Sequence, residues 1–136
     1  MSVPELSVQI KNVPGQLVQL TAILAEAGVN IRGITASSTG KVGWVHMIVD
    51  DPKLGQESLE ECGFSVDTGE ALAILMPHEP GSLDHALRVL ADHKVNLDYI
   101  YTVVGSKGSK VMAILGVQSP GKVEKLLHQN GIDVEG

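Results

Sequence analysis

The chain has 136 residues, a formal net charge of -6, and 16 acidic against 10 basic side chains. Apolar residues make up 43% and aromatic residues 3%, so a folded core must be built from aliphatic side chains. Proteins that bind nucleic acids need clustered Lys and Arg and usually stacking rings, and this composition excludes a nucleic-acid partner.

Membrane segments, disulfides and cysteine-rich metal sites are not expected either. The longest apolar run, residues 71–76, is too short to span a bilayer, and the first residues do not resemble a signal peptide. We therefore predict no membrane partner and a cytoplasmic location. The single cysteine, Cys62, excludes an internal disulfide, and we expect it to be buried at a helix end.

The first predicted elements are a strand and a helix. Leu6, Val8 and Ile10 alternate with polar residues, which is typical of a strand with one buried face. After a Pro-Gly pair, apolar residues recur at three- and four-residue spacing and predict a helix that ends at Gly28. These helical apolar residues are Leu17, Leu20, Ile23, Leu24 and Ala27.

Turn residues and periodicity then predict a hairpin and a second helix. The expected elements are a strand at 30–38, a turn at Thr39, Gly40 and Gly43, a strand at 44–49, a helix from Pro52 to near Gly63, and a strand at 64–66. The predicted order is therefore βαββαβ.

The second half of the chain repeats the first. An offset of 66 residues aligns identical residues at Pro14 and Pro80, Gly15 and Gly81, Leu17 and Leu83, Leu24 and Leu90, Ala25 and Ala91, Val29 and Val95, Asn30 and Asn96, and Ile34 and Ile100. Farther on the offset is 68, so the second copy has two extra residues, which we place in its hairpin turn. We predict two domains, residues 1–69 and 70–136, with the same order of elements.

Two helices on one face of a four-stranded antiparallel sheet form the ferredoxin-like arrangement. The sequence thus predicts an α+β protein of two tandem ferredoxin-like βαββαβ modules. In the second module the helix-free face would carry Leu97, Tyr99, Tyr101 and Val103. Because an open apolar face of this size indicates an interface, we predict a homodimer that uses it.

Each copy has a Pro-Gly turn between its first strand and first helix. Glycine lets the backbone approach a bound group, and the N–H groups of a helix start can hold a carboxylate. Asn12 and Asn30 add amide donors and acceptors that suit a zwitterion. Alternatively, the Pro-Gly pair shapes the turn and both asparagines are turn-forming residues. The residues alone leave both interpretations open.

The segments NVPGQL with AEAGVNI, and HEPGSL with ADHKVNL, resemble the signature of ACT domains, twice and over nearly the whole chain. The resemblance implies a regulatory module whose ligand, usually a free amino acid, lies between the Pro-Gly loop of one module and strand two of its neighbour. It places at the ligand Asn12, Val13, Gly15, Gln16, Leu17, Asn30 and Ile31, and in the second copy His78, Glu79, Gly81, Ser82, Leu83, Asn96 and Leu97. Because His78 departs from the commoner asparagine, we expect the second copy to differ in ligand, in pH dependence or in binding at all.

No catalytic or metal site is predicted. The five histidines are scattered, no nucleophile motif or phosphate-binding loop occurs, and Asp50-Asp51 before Pro52 is typical of a helix start. We therefore expect no enzymatic activity, no catalytic residue, no metal and no cofactor.

Three functions remain to be compared. The first is a non-catalytic regulatory protein that binds a free amino acid and signals to a partner. The second is a ligand-free regulatory or structural subunit that binds an amino-acid biosynthetic enzyme. The third is a small enzyme such as an acylphosphatase, which would need an arginine in the first loop, whereas Arg32 and Arg88 lie outside it.

Overall fold

The computed structural model describes residues 3–107 and 110–134. The chain divides into two compact units, the first Pro4–Gly69 and the second beginning at Glu70. The module boundaries 1–69 and 70–136 are our interpretation of this division. The elements are β1 (Val3–Lys11), α1 (Gln16–Glu26), β2 (Ile31–Thr39), β3 (Val42–Val49), α2 (Pro52–Glu61), β4 (Ser65–Pro77), α3 (Ser82–Asp92), β5 (Tyr99–Lys107), β6 (Lys110–Gly116), α4 (Pro120–Gln129) and β7 (Asp133–Val134).

The first unit has the strand order β4-β1-β3-β2. Both described pairings within it, β1 with β3 and β3 with β2, are antiparallel. Helix α2 begins where the Asp-Asp pair predicts, because the Asp51 side chain accepts a hydrogen bond from the Leu54 N–H at 3.1 Å. Pro52 occupies the start of this helix, where its missing N–H costs nothing.

The core of the first unit lies between the sheet and the two helices. Its fully buried side chains are Leu6, Val8, Leu20, Leu24, Val45, Met47 and Leu59. The predicted alternation in β1 is therefore confirmed, since Leu6 and Val8 face the helices. Gly28 ends α1 with φ of +77°, a conformation that favours glycine.

The second unit has the order β5-β6-β4-β7, and its pairings are again antiparallel. Its core residues are Leu72, Ile74, Ala86, Val89, Leu90, Ala113, Leu115, Val123, Leu127 and Ile132. The order of both units is ferredoxin-like, so the predicted fold class is confirmed. The hairpin turn predicted to hold the two extra residues falls at 108 and 109, outside the described residues.

One difference from the predicted order concerns β4. Residues 64–66 and the strand near residue 71 were predicted as separate strands, but β4 runs from Ser65 to Pro77 without a break. The intervening Gly69 does not take a positive φ, so the backbone stays extended through it. The described residues consequently contain seven strands where two complete repeats would give eight.

Two burial predictions were wrong. The helix-free face of the second unit was expected to be open, but Tyr101, Val103 and Ile114 are 7%, 5% and 0% exposed. The open apolar face from which a homodimer was predicted is therefore absent among these residues, and that argument for a homodimer no longer holds. Cys62 was expected to be buried but is exposed, because α2 ends at Glu61 and the chain turns at Gly63.

Among the described residues, no helix is both long enough and apolar enough to cross a membrane.

Candidate functional site

The first Pro-Gly loop, residues 12–17, carries the chain from β1 into α1. Gly15 precedes the helix with φ of 90° and ψ of -12°, which L side chains rarely adopt. The Gln19 N–H donates to the Gly15 carbonyl at 2.9 Å, and the Val13 N–H donates to the Lys11 carbonyl at 2.9 Å. No described side chain caps α1, and the Gln16 N–H donates to the Val13 carbonyl at 3.4 Å. The N–H groups of Leu17 and Val18 are therefore the ones left for water or a ligand.

Asn12 holds this loop against the β2–β3 hairpin. Its Nδ2 donates to the Gly40 carbonyl at 2.8 Å, and its backbone N–H donates to the Lys41 carbonyl at 2.9 Å. The amide nitrogen of Asn12 thus joins two segments that are 28 residues apart, and does not bond to its own turn as a turn-forming asparagine would. The same contacts bring the end of β2 to the loop, and the Asn12 Oδ1 is the side-chain atom that these bonds do not use.

A concavity of about 330 Å³, here called the first groove, lies beside this loop. Its volume is near the lower end of small-molecule pockets, which is about 300 Å³. The groove is lined by Ile10, Lys11, Asn12, Val13, Pro14, Gly15, Gln16, Leu17, Val18, Ala36, Ser37, Ser38 and Gly43. It therefore contains all five of the site residues that were predicted in the first loop.

The two strand-two residues predicted for this site lie away from the first groove. Asn30 and Ile31 are at the start of β2, and the groove meets that strand at Ala36, roughly 16 Å farther along an extended chain. The Asn30 N–H donates to the Asp50 Oδ1 at 2.9 Å, and Ile31 packs against the first core. Within the unit, the structure does not bring these residues to the loop.

The second Pro-Gly loop, residues 78–83, has the same backbone geometry. Gly81 has φ of 90° and ψ of -13°. The Glu79 N–H donates to the Pro77 carbonyl at 3.0 Å, and the His85 N–H donates to the Gly81 carbonyl at 2.9 Å, as at the equivalent positions of the first loop. No described side chain caps α3. The repeat thus preserves the turn closely.

A concavity of about 510 Å³, here called the second groove, lies beside the second loop. It is lined by Leu75, Met76, Pro77, Glu79, Pro80, Gly81, Ser82, His85, Ala86, Lys110, Gly131, Ile132 and Asp133. Unlike the first groove, it reaches the last strand of its unit. Glu79, Gly81 and Ser82 were predicted as site residues and line it.

The other four residues predicted in the second copy lie outside this groove. His78 and Asn96 are exposed, Leu83 is partly exposed on α3, and Leu97 packs against the second core. Replacement of asparagine by His78 therefore changes a residue next to the groove and does not change its lining.

The second groove contains an ion pair. The Lys110 Nζ donates to the Asp133 Oδ2 at 2.6 Å, and this hydrogen bond holds the pKa of the Asp133 carboxyl below its usual range. Lys110 and Asp133 lie on β6 and β7, the two strands that flank β4. Opposite charges are thus held next to each other at the wall of the groove.

Sequence reasoning missed the residues that other elements bring to the loops. These are Ala36, Ser37, Ser38 and Gly43 in the first groove, and His85, Lys110, Ile132 and Asp133 in the second. The predicted ferredoxin-like strand order, which places the third and fourth strands beside the first, could have pointed to Lys110 and Asp133. Three-residue spacing on a helix could likewise have linked His85 to Ser82.

A further titratable cluster lies on the helix-free face of the first unit. Burial lowers the pKa of His46, and the charge of Glu5 opposes this shift in part. The Ser7 Oγ lies 2.8 Å from the His46 Nδ1, and the Trp44 and His46 rings stack with centroids 6.3 Å apart. None of these side chains lines either groove. The described residues contain no group of three potential metal ligands.

Comparison with known proteins gives a family and a shared fold. A family model described as an ACT domain pair matches residues 1–134. A search of curated proteins finds no match.

Several solved structures are similar to this chain, and three of them are described here. One is a protein from Bacteroides thetaiotaomicron, 23% identical, with a TM-score of 0.85 over 99% of this chain and 92% of that chain. The others are the regulatory subunits of aspartate kinase from Thermus thermophilus, in a ligand-free form, and from Thermus flavus. Each is 15% identical; the TM-scores are 0.63 and 0.58, over 94% and 95% of this chain and 91% and 92% of those chains. At these identities the likeness shows the fold, and the family match shows that the chain belongs to the ACT domain pair family.

Proposed function

We propose that this protein is a non-catalytic regulatory protein that binds a free amino acid at its Pro-Gly loops. The observation that carries the proposal is the start of α1, which no described side chain caps and which opens onto the first groove. Membership of the ACT domain pair family supports a regulatory role. The fold shared with two regulatory subunits of aspartate kinase is consistent with it.

The first groove offers complementary groups for each part of an amino acid. A carboxylate fits the N–H groups and positive dipole end at the start of α1. The Asn12 Oδ1 and the hydroxyl group of Ser38, which pairs with Gly43 on the helix side of the sheet, can accept from an ammonium group. Apolar walls from Ile10 and Leu17 suit a neutral side chain.

The charges of the lining favour such a neutral side chain. Among the described residues that line the first groove, Lys11 alone carries a charge at neutral pH. A ligand with a charged side chain would lose water in this groove and gain few compensating contacts. We therefore expect small uncharged amino acids to bind more tightly than acidic or basic ones.

A homodimer is part of the proposal because strand-two residues are missing from the groove. The family resemblance implies that a neighbouring module supplies them, and we propose that a second copy of the chain does so. The loop and the first turn of α1 retain exposed apolar surface for such a contact, with Val13 53% and Val18 70% exposed. Light scattering at micromolar concentration should give twice the chain mass, and a monomer in the presence of ligand would contradict this part.

Regulation would follow from a difference in ligand affinity between two arrangements of modules. The ligand can shift that equilibrium by no more than its differential affinity for the two states. The partner that would respond to the change of arrangement is a metabolic enzyme. We also propose that the protein acts in the cytoplasm.

The alternative is a subunit that has lost its ligand and binds an enzyme directly. One contact favours it, because the Asn12 Nδ2 is already bonded to the Gly40 carbonyl and serves the turn. Co-purification of an enzyme, with no amino acid able to stabilise the protein, would support this alternative.

A thermal-shift screen with the twenty amino acids tests the proposed function. A ligand at 100 times its Kd should add about 2.7 kcal/mol to the free energy of unfolding. The variant Leu17→Glu places a negative charge in the first turn of α1 and should abolish the shift at this site. The matched control is Leu54→Glu, because Leu54 lies in the first turn of α2 and is 38% exposed, against 39% for Leu17.

Two results would contradict the proposal. If no amino acid raises the melting temperature, the protein does not bind this class of ligand. If Leu17→Glu and Leu54→Glu leave the same shift, the ligand binds away from the first loop.

A further inference from the structure

The end of α4 carries an Asn-Gly pair. The sequence has four asparagines, and only Asn130 is followed by glycine; the other three precede valine, isoleucine and leucine. Asn130 is the C-terminal cap residue of α4 and is exposed. Glycine has no Cβ, so the Gly131 backbone nitrogen meets the least steric hindrance when it approaches the side-chain carbonyl carbon of Asn130. Asparagine is a thermolabile residue, and this one has the most permissive neighbour in the chain.

The backbone after Asn130 forms a closed turn. The Gly131 N–H donates to the His128 carbonyl at 3.1 Å, and Gly131 has φ of +77°. The Ile132 N–H donates to the Leu127 carbonyl at 3.0 Å. These two bonds are the Schellman arrangement of a helix end. The nitrogen that would attack Asn130 is therefore engaged while the turn is closed.

The side chain of Asn130 is also held by the helix. Its Nδ2 donates to the Leu126 carbonyl at 2.8 Å, one helical turn back along α4. This bond keeps the amide group on the helix, whereas reaction requires it to turn toward Gly131. Both the backbone bond of Gly131 and the side-chain bond of Asn130 must open before the two groups can react.

Few contacts keep this turn closed. Ile132 is 7% exposed and packs in the second core. Strand β7 has two residues, and its ion pair between Lys110 and Asp133 has side chains that are 44% and 60% exposed, so it contributes little to stability. Local opening of a segment with so few buried contacts costs less free energy than unfolding of the whole unit.

The first unit has the same turn without the side-chain amide. Gly63 has φ of +91°, and the N–H groups of Gly63 and Phe64 donate to carbonyls of the last turn of α2 at 3.0 Å. Cys62 occupies the position of Asn130. The repeat therefore supplies a matched turn for comparison.

We propose that Asn130 is a site of spontaneous deamidation whose rate is controlled by opening of the last turn of α4. In the open turn the Gly131 nitrogen forms a bond to the Asn130 Cγ. The Cγ–Nδ2 bond breaks, and the amide nitrogen leaves as ammonia with the proton of the Gly131 N–H. The product is a cyclic succinimide. Water adds to either of its carbonyl groups and opens the ring to aspartate or to isoaspartate, in which the main chain runs through Cγ.

Both products change the wall of the second groove, which includes Gly131, Ile132 and Asp133. Each adds a carboxylate at the C-terminal end of α4, where the helix dipole is negative. Isoaspartate also adds a carbon atom to the main chain, which displaces the Ile132 N–H from the Leu127 carbonyl. This inference does not rest on the proposed function, because the reaction needs no ligand.

The test incubates the full chain at mildly alkaline pH and follows the tryptic peptide of residues 126–136 by chromatography and mass spectrometry. Aspartate and isoaspartate forms should accumulate at position 130, while Asn12, Asn30 and Asn96 stay unmodified. Denaturation of the chain in guanidinium chloride should accelerate the reaction at Asn130 about ten-fold or more, since the rate follows the population of the open turn. Asn130→Gln is the control and should give no product.

Variants distinguish local opening from unfolding of the whole chain. Ile132→Val removes one buried methyl group beside the turn and should accelerate the reaction about three-fold. Phe64→Leu at the equivalent position of the first unit is the matched control and should leave the rate at Asn130 unchanged. Cys62→Asn should create a second reactive position in the matched turn of the first unit.

Hydrogen exchange measures the effect on the groove. In the purified isoaspartate form the Ile132 amide should exchange about ten-fold faster than in the unmodified chain. Unchanged exchange would overturn the effect on the second groove. Absence of product at Asn130, equal rates in the folded and the denatured chain, or equal acceleration by Ile132→Val and Phe64→Leu would each overturn the proposal.

Discussion

The two Pro-Gly loops have the same backbone but different surroundings. Gly15 and Gly81 share φ of 90°, and the hydrogen bonds around them are equivalent. The first groove has serines from β2, whereas the second has an ion pair from β6 and β7. The Pro-Gly pair therefore determines the turn, and the neighbouring strands determine which groups line the groove beside it.

A second comparison concerns one cross-strand pair. In the first unit Gly33 faces Ile48, and at the equivalent positions of the second unit Tyr99 faces Gly116. The large and the small residue have exchanged strands. The summed volume is kept roughly constant, which is the kind of exchange that folded proteins tolerate best.

The largest expected loss of unfolding free energy comes from a substitution in this exchanged pair. A Cβ at Gly116 would overlap the Tyr99 ring, so Gly116→Ala forces the ring away and should cost about 1–3 kcal/mol of unfolding free energy. Chemical denaturation measures this cost. The same substitution in a Tyr99→Ala background should cost much less, and an equal cost in both backgrounds would show that the ring is not responsible.

The next effect tests whether the two loops are equivalent. Gly15→Ala and Gly81→Ala have open space for the added methyl group, so only the positive φ penalises them. Each should lower the unfolding free energy by about 1–2 kcal/mol. Gly69→Ala, where φ is not positive and the space is also open, is the control and should cost less. Clearly unequal costs at the two loops would contradict their equivalence.

A smaller effect concerns the ends of α1 and α3. Lys94 has φ of 58°, the only positive φ at a described residue other than glycine, and it occupies the position of Gly28. Lys94→Gly should raise the unfolding free energy by about 1 kcal/mol, since relief of left-handed strain exceeds the entropy cost of glycine. Gly28→Lys should lower the unfolding free energy. If Lys94→Gly also lowers it, the lysine side chain makes stabilising contacts of its own.

The smallest effect is a pH dependence of the unfolding free energy. It comes from His46, which lies on the helix-free face of the first unit. Burial lowers the pKa of His46 below 6.5, so the unfolded chain binds more protons than the folded chain. Stability should be full above pH 6.5, fall as the pH drops below it, and level off below the folded pKa. His46→Gln should reduce this fall, whereas Ser7→Ala, which keeps the imidazole, should retain most of it. An unchanged fall in His46→Gln would assign it to other groups.

Much of the fold was predictable because its signals are local. Three features depend on only a few neighbouring residues: the buried alternation of Leu6 and Val8, the helix cap at Asp51 and the helix end at Gly28. The continuity of β4 was not predictable in this way, since glycine at position 69 is compatible with both a turn and an extended chain.

The candidate site was predictable only in its loops. Asn12 to Leu17 are contiguous and line the first groove, whereas Ser37 reaches it through pairing between β2 and β3. The meeting of Lys110 and Asp133 likewise depends on strand pairings that a motif does not encode. Asn30 was predicted to serve the loop of a neighbouring module, and this stays a prediction, since a single chain does not show which module the residue serves.

The most direct test is a crystal structure of the chain with the amino acid that gives the largest thermal shift. We expect ligand density in the first groove, with the carboxylate at the N–H groups after Gly15 and the ammonium group near the Asn12 Oδ1. Density for a bound amino acid elsewhere, with both Pro-Gly loops empty, would contradict the central claim that these loops hold the ligand.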